Sequence, residues 1–75
     1  MKLAPDQRLE LDQSSEQVIA VADGIVYVMA ADDEAILTAG DSITIPAGEP
    51  RRAWNAGDGD AEITVSSARS LRLAA

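Results

Sequence analysis

Turn signals interrupt this chain at intervals of about ten residues, and that spacing limits its fold more than any other property of the sequence. The interruptions are Ser14-Ser15, Asp23-Gly24, Asp32-Asp33, Gly40-Asp41, the stretch from Pro46 to Pro50, and Gly57-Asp58-Gly59-Asp60. No sustained helical period runs between them; the segments alternate in polarity, as half-buried strands do. Leu9 and Leu11 share one face of Arg8 to Asp12, Ile43 and Ile45 one face of Ser42 to Ile45, and Ile63 and Val65 one face of Ala61 to Val65. In Ile25 to Ala30, Ile25, Tyr27 and Met29 share one face, and Val26 and Val28 the other. Tyr27 and Met29 are expected to line the interior. Gln17 to Ala22 is apolar on both faces, the pattern of a strand covered on both sides. Asp23-Gly24 and Gly57 to Asp60 read as hairpin turns. Glu34 to Thr38, Arg51 to Ala56 and Arg69 to Leu73 complete seven or eight short antiparallel strands, although the last also fits a short helical turn. The expectation is an all-β jelly-roll barrel.

Composition narrows what such a barrel can do. The chain has 75 residues and neither linker, low-complexity tract nor internal repeat, so residues 1–75 are expected to form one domain. Its net charge of −7 repels nucleic acid, and no basic stripe offsets that field. Cysteine and histidine are both absent, which removes disulfides, thiolate sites, the commonest metal ligand and the commonest general base. Tyr27 and Trp54 are the only aromatics, so the core is built from small aliphatic side chains. A core with so little bulk leads us to expect self-association as a homodimer. The N-terminus lacks the apolar region of a signal peptide, and no apolar run approaches the ~20 residues of a membrane span. A cytoplasmic protein without membrane or nucleic-acid partners is expected.

The stretch Gly40 to Asn55, GDSITIPAGEPRRAWN, has its own physical logic. Gly40-Asp41 turns, Ser42 to Ile45 is a strand, and Pro46 ends it because proline cannot donate to a ladder. Pro46 to Pro50 is then a stiff corner before Arg51 to Ala56 returns. The spacing of Gly40, Pro46, Gly48 and Asn55 resembles the second motif of the cupin barrels, G-x5-P-x-G-x2-H-x3-N. Four of its five fixed positions are filled, and the histidine position holds Arg51. The first cupin motif, G-x5-H-x-H-x3-4-E-x6-G, is matched only at Gly24. Counting back from there, its glutamate falls on Gln17, beside Glu16. Its histidines fall on Leu11 and Gln13, or on Glu10 and Asp12 with the longer spacing.

The resemblance implies a cupin fold and, at the same time, the loss of its usual metal. Metal-bearing cupins use three histidines and a glutamate, whereas Arg51 would put a permanent cation at one corner. An oxygen-only site from Glu10, Asp12 and Glu16 requires those acids to point inward, yet alternation turns Glu10 and Asp12 away from the face of Leu9 and Leu11. Neither a metal nor another cofactor is therefore expected.

Three residues stand out as candidate ligand contacts: Arg51, Tyr27 and Trp54. Arg51 either anchors a carboxylate or phosphate where the metal would sit, or pairs with an acid such as Glu49. One member of the Arg51-Arg52 pair should face the barrel mouth and the other solvent. Trp54 either stacks a ligand ring or fills the core or a subunit interface. Without histidine, Ser14-Ser15 and Ser66-Ser67 cannot form a nucleophilic triad, and Asp58-Gly59-Asp60 and Asp32-Asp33-Glu34 lack the spacing of a calcium loop. The leading expectation is a non-catalytic, metal-free homodimeric module that binds a small anionic or sugar-like ligand. The alternative is an isomerase- or epimerase-like enzyme that works through Arg51 and Tyr27.

Overall fold

The structure, a computed structural model, describes residues 1–67. Seven strands run in chain order: β1 (Lys2–Leu3), β2 (Gln17–Asp23), β3 (Val26–Ala30), β4 (Asp33–Leu37), β5 (Ser42–Ile45), β6 (Arg51–Asn55) and β7 (Ala61–Ser67). They form two antiparallel sheets, of order β1-β7-β2-β5 and β4-β3-β6. No helix long and apolar enough to cross a membrane occurs among the described residues.

The expected closure into a barrel does not occur among the described residues. No backbone ladder joins the two sheets there, and they face each other across an apolar layer. The strands are short, and Pro46 and Pro50, which lack an N–H, flank the corner where β5 hands over to β6. Inward-facing Ile19, Val21, Ile45 and Ile63 come from one sheet and Val26, Val28, Leu37 and Ala53 from the other; Leu3 and Leu9 close the ends. Burying each large aliphatic side chain contributes ~1.5–3 kcal/mol, so this layer supplies most of the cohesion between sheets.

Several local expectations change with the topology. Asp23-Gly24 and Gly57 to Asp60 are not hairpin turns, because β2 and β3, like β6 and β7, lie in different sheets. They are corners that carry the chain across the apolar layer. Gly24 is needed at the first corner for two reasons: its φ is +97°, and a Cβ there would sit 2.8 Å from Cα and Cβ of Ala61. Arg8 to Asp12 is not a strand. A single bridge from Arg8 to Trp54 and the bonds Leu9 N to Ala53 O and Asn55 N to Gln7 O lay this segment along β6. The two-residue β1 pairs with β7. Only one face of β2 is fully buried, since Val18 and Ala20 are half-buried and Ala22 is exposed. On β3 it is Val26 and Val28 that face the core, and Tyr27 and Met29 point outward. Valine buries no polar atom, whereas a phenol in that layer would need a hydrogen-bond partner for its hydroxyl. The segment Arg69 to Leu73 lies outside the described residues.

The hairpin β3–β4 does form, through Ala31 and Asp32. Ala31 adopts φ 52°, a left-handed conformation that an L-residue with a Cβ enters at a cost of ~1–2 kcal/mol. Its amide donates to Pro50 O at 2.8 Å, a bond that glycine would keep. Ala31→Gly is therefore expected to stabilise the fold by about 0.5–1 kcal/mol after the entropy of the unfolded glycine is subtracted. Thermal melting should show the midpoint raised by roughly 3–6 °C.

Asn55 is fully buried at the inner end of β6. Its Nδ2 donates to Leu3 O and Gly59 O, both at 2.8 Å, and its Oδ1 accepts from Gly57 N at 2.8 Å. One side chain thus holds both β1 and the corner before β7. Asn55→Leu has similar volume and strands all three backbone groups, so a loss of about 3 kcal/mol is expected in denaturant unfolding. A loss under ~1 kcal/mol would show that water replaces these bonds at no cost.

Candidate functional site

Alternation along β6 sends its side chains to two opposite faces. Arg51, Ala53 and Asn55 point inward, and Arg52 and Trp54 outward. On the inward face, Arg51 lies at the end of the strand where the loop Gln13 to Gln17 meets the corner Pro46 to Pro50. Its guanidinium carries five N–H groups, and all five are engaged within the chain. Nε donates to Glu49 O at 3.1 Å, and Nη1 to Ser15 O at 2.8 Å and Gln17 Oε1 at 3.1 Å. Nη2 donates to Gln13 O at 3.3 Å and Pro46 O at 2.7 Å. The pairing with an acid weighed from the sequence is absent, and Glu49 contributes its backbone carbonyl rather than its carboxylate. Four carbonyl dipoles and one amide oxygen solvate the cation in place of water.

The loop that Arg51 grips is also tied from its other end. Asp12 accepts from Ser14 N at 3.0 Å, Ser14 Oγ at 2.7 Å and Ser15 Oγ at 3.0 Å. The Ser14 hydroxyl above all, then the Ser14 amide and the Ser15 hydroxyl, hold the Asp12 carboxyl below its ordinary range, with a smaller contribution from the Arg51 charge. Gln17 Oε1 accepts from Asp12 N at 3.1 Å as well as from Arg51, and Gly48 N donates to Gln13 O at 2.8 Å.

These residues coincide with the positions that the cupin resemblance reserves for a metal. Gln13, Gln17 and Arg51 converge, and Leu11 packs against the core beside them. The set does not fit a metal ion. Leu11 has no donor atom, Gln13 and Gln17 are neutral amides, and Arg51 brings a positive charge whose directions are all taken. Glu10 and Asp12 are exposed, and no group of three His, Cys, Asp or Glu among the described residues is arranged to hold a cation.

Tyr27 and Trp54 do meet, but on the outer face of the β4-β3-β6 sheet. They are register partners with ring centroids 4.5 Å apart at 63°, an edge-to-face pair. Ile36, 67% exposed, stands on the other side of Tyr27, and Met29 lies between Glu34 and Arg52 in the next row. Desolvation first, and then the neighbouring Glu34 carboxylate, push the Tyr27 phenol above its ordinary value, so it stays protonated at neutral pH. The three candidate residues therefore form no common site: Arg51 is on one face of the sheet, Tyr27 and Trp54 on the other. Two further residues, Arg8 and Arg52, join Trp54 around an open groove of about 230 Å³ whose rim includes Asp6. Alternation from Trp54 back to Arg52 was enough to place that arginine on the tryptophan's face. Arg8 becomes visible only through its backbone bridge to Trp54.

The structure is similar to several solved ones. A protein from Thermus thermophilus superposes with a TM-score of 0.77 at 29% identity, covering 85% of this chain and 63% of its own. Drosophila melanogaster CENP-C bound to CAL1 gives 0.78 at 21%, covering 89% and 61%. A predicted oxalate decarboxylase from Thermotoga maritima gives 0.74 at 21%, covering 85% and 57%. The chain thus spans about three-fifths of the length of these structures, and a shared fold alone does not select a function. No curated protein matches the sequence. The family model described as "Cupin domain" matches residues 1–67, and with the two-sheet architecture and the Gly40 to Asn55 pattern in place, the chain belongs to the cupin domain family.

Proposed function

We propose that this chain is a non-catalytic cupin module that binds a small anionic or sugar-like ligand and works as a homodimer. The observation that carries the non-catalytic part is the Arg51 knot: five N–H donors spent on Gln13, Ser15, Gln17, Pro46 and Glu49 at the place where the family holds its metal. An enzyme that used Arg51 and Tyr27 together would need them in one site, and β6 and β3 turn them to opposite faces. CENP-C bound to CAL1, a structural neighbour at 21% identity, is a precedent for a binding role on this fold.

Self-association has its best support at β5. Its outer edge has no ladder partner among the described residues. Exposed edges in monomeric proteins are ordinarily guarded by charge, bulges or very short length. Here β4 carries Asp33 and Glu34, β1 is two residues long with Lys2, and β6 is covered by the segment through Arg8. Ser42, Ile43, Thr44 and Ile45 contain no charge at all. Two copies paired antiparallel through β5 would join two four-stranded sheets into one.

Three measurements test this reading. Protein exposed to Fe(II), Mn(II), Ni(II) or Zn(II) and then desalted should retain well under one equivalent of each, and stoichiometric retention would overturn the metal-free assignment. Arg51→Met should cost about 2 kcal/mol in denaturant unfolding, with faster hydrogen exchange at Gly48 and through residues 12–17. Arg51→Lys should recover only part of that loss, since three donors on one nitrogen cannot reach five acceptors. Thr44→Lys, which adds a guard charge to β5, should convert a dimer to a monomer in light scattering while shifting stability by no more than about 0.5 kcal/mol. A wild-type monomer, or a dimer indifferent to Thr44→Lys, would remove β5 as the contact.

A further inference from the structure

Four of the chain's six cationic side chains lie among the described residues: Lys2, Arg8, Arg51 and Arg52. Arg51 is consumed internally. Arg8 and Arg52 make no side-chain hydrogen bond and no ion pair among the described residues, where the only ion pair joins the N-terminal ammonium to Glu62. That is unexpected for a chain with thirteen acids to choose from. Both arginines flank the same indole. Arg8 is the bridge partner of Trp54, and Arg52 lies two residues before it on the same face of β6. Tyr27 packs edge-to-face on the other side of Trp54 and limits its rotation. Asp6, held at φ 65° by its amide bond to Asn55 O at 3.1 Å, completes the groove of about 230 Å³.

Two guanidinium groups line one groove, where a single anion would meet both. A single carboxylate at the rim does not pair with either arginine within salt-bridge distance. We propose that this groove is a binding seat for a small carboxylate with a flat ring: the two arginines take the carboxylate, Trp54 takes the face of the ring, and Asp6 accepts from a hydroxyl or amino group on it. Guanidinium matches the planar, two-oxygen geometry of a carboxylate, and the indole supplies a flat apolar wall. The net charge of −7 does not forbid this, because at physiological salt fields are screened beyond about 8 Å and the arginines act at contact. This seat is distinct from the Arg51 knot, which is on the opposite face of β6. The inference deepens the binding-module reading and rests on it.

Trp54 is the only tryptophan, so its emission reports on the groove alone. Wild-type protein titrated with 4-hydroxybenzoate should show a saturable change in that emission. Acetate, which lacks the ring, and benzyl alcohol, which lacks the charge, should each bind at least about tenfold more weakly. Arg8→Gln and Arg52→Gln should each weaken 4-hydroxybenzoate by about tenfold, with the thermal midpoint of the unliganded protein unchanged. Benzoate, which offers no donor to Asp6, should bind more weakly than 4-hydroxybenzoate to wild type, and Asp6→Asn should narrow that gap. No saturable change up to millimolar ligand, or glutamine variants that bind it as tightly as wild type, would overturn the seat. So would loss of self-association in those variants without any effect on the ligand, which would reassign the groove to contact between copies. Conversion of the probe to product by wild-type protein would break the non-catalytic reading and leave the seat standing, so the two failures are separable.

Discussion

With no backbone ladder shared between the sheets among the described residues, the apolar layer between them is the interaction on which everything else depends. Each sheet is internally hydrogen-bonded, but what presses β4-β3-β6 onto β1-β7-β2-β5 is the burial of Ile19, Val21, Ile45 and Ile63 against Val26, Val28, Leu37 and Ala53. Such attraction is nondirectional and would allow the sheets to slide. Direction comes from polar clamps at the two ends of β6. Asn55 ties one end to β1 and the β6–β7 corner, and Arg51 ties the other to the 13–17 loop and the β5–β6 corner. Between them Ala53 is buried in the layer, where its small side chain lets the strand approach closely.

The same strand divides the molecule into two chemical environments. Its inward residues spend their polarity inside the chain, and no buried side-chain nitrogen or oxygen among the described residues lacks a partner. Its outward residues, Arg52 and Trp54, leave theirs available. The seat proposed above therefore lies on the outer face of the sheet, opposite the positions that the cupin resemblance reserves for a metal.

Much of the architecture was legible in the sequence because turns and alternation are local. Ile43 with Ile45, Ile63 with Val65, and the separation of Arg51 from Arg52 all follow from the two-residue period of a strand. The period does not say which face is inward, and Tyr27 and Met29 are found outside, while Val26 and Val28, with no polar group to satisfy, take the buried face. Nor does a turn signal say which strands it joins. Asp23-Gly24 has the residues of a hairpin, yet the glycine is needed for its positive φ and for its contact with Ala61, a residue far away in sequence. The Arg51 knot was equally hidden. Its acceptors are mostly backbone carbonyls, which every residue owns, so no side-chain identity at Gln13, Ser15, Pro46 or Glu49 could announce it.

A bound metal joins a protein by an equilibrium: its occupancy rises and falls with supply, acidity and competing chelators, and folding waits for it to arrive. Arg51 bridges the 13–17 loop and the β5–β6 corner with a cation that is covalently part of the chain. It is present in every copy as soon as synthesis is complete, undergoes no redox chemistry and cannot be extracted. Loops held this way close by a unimolecular event, with no second component that has to diffuse in.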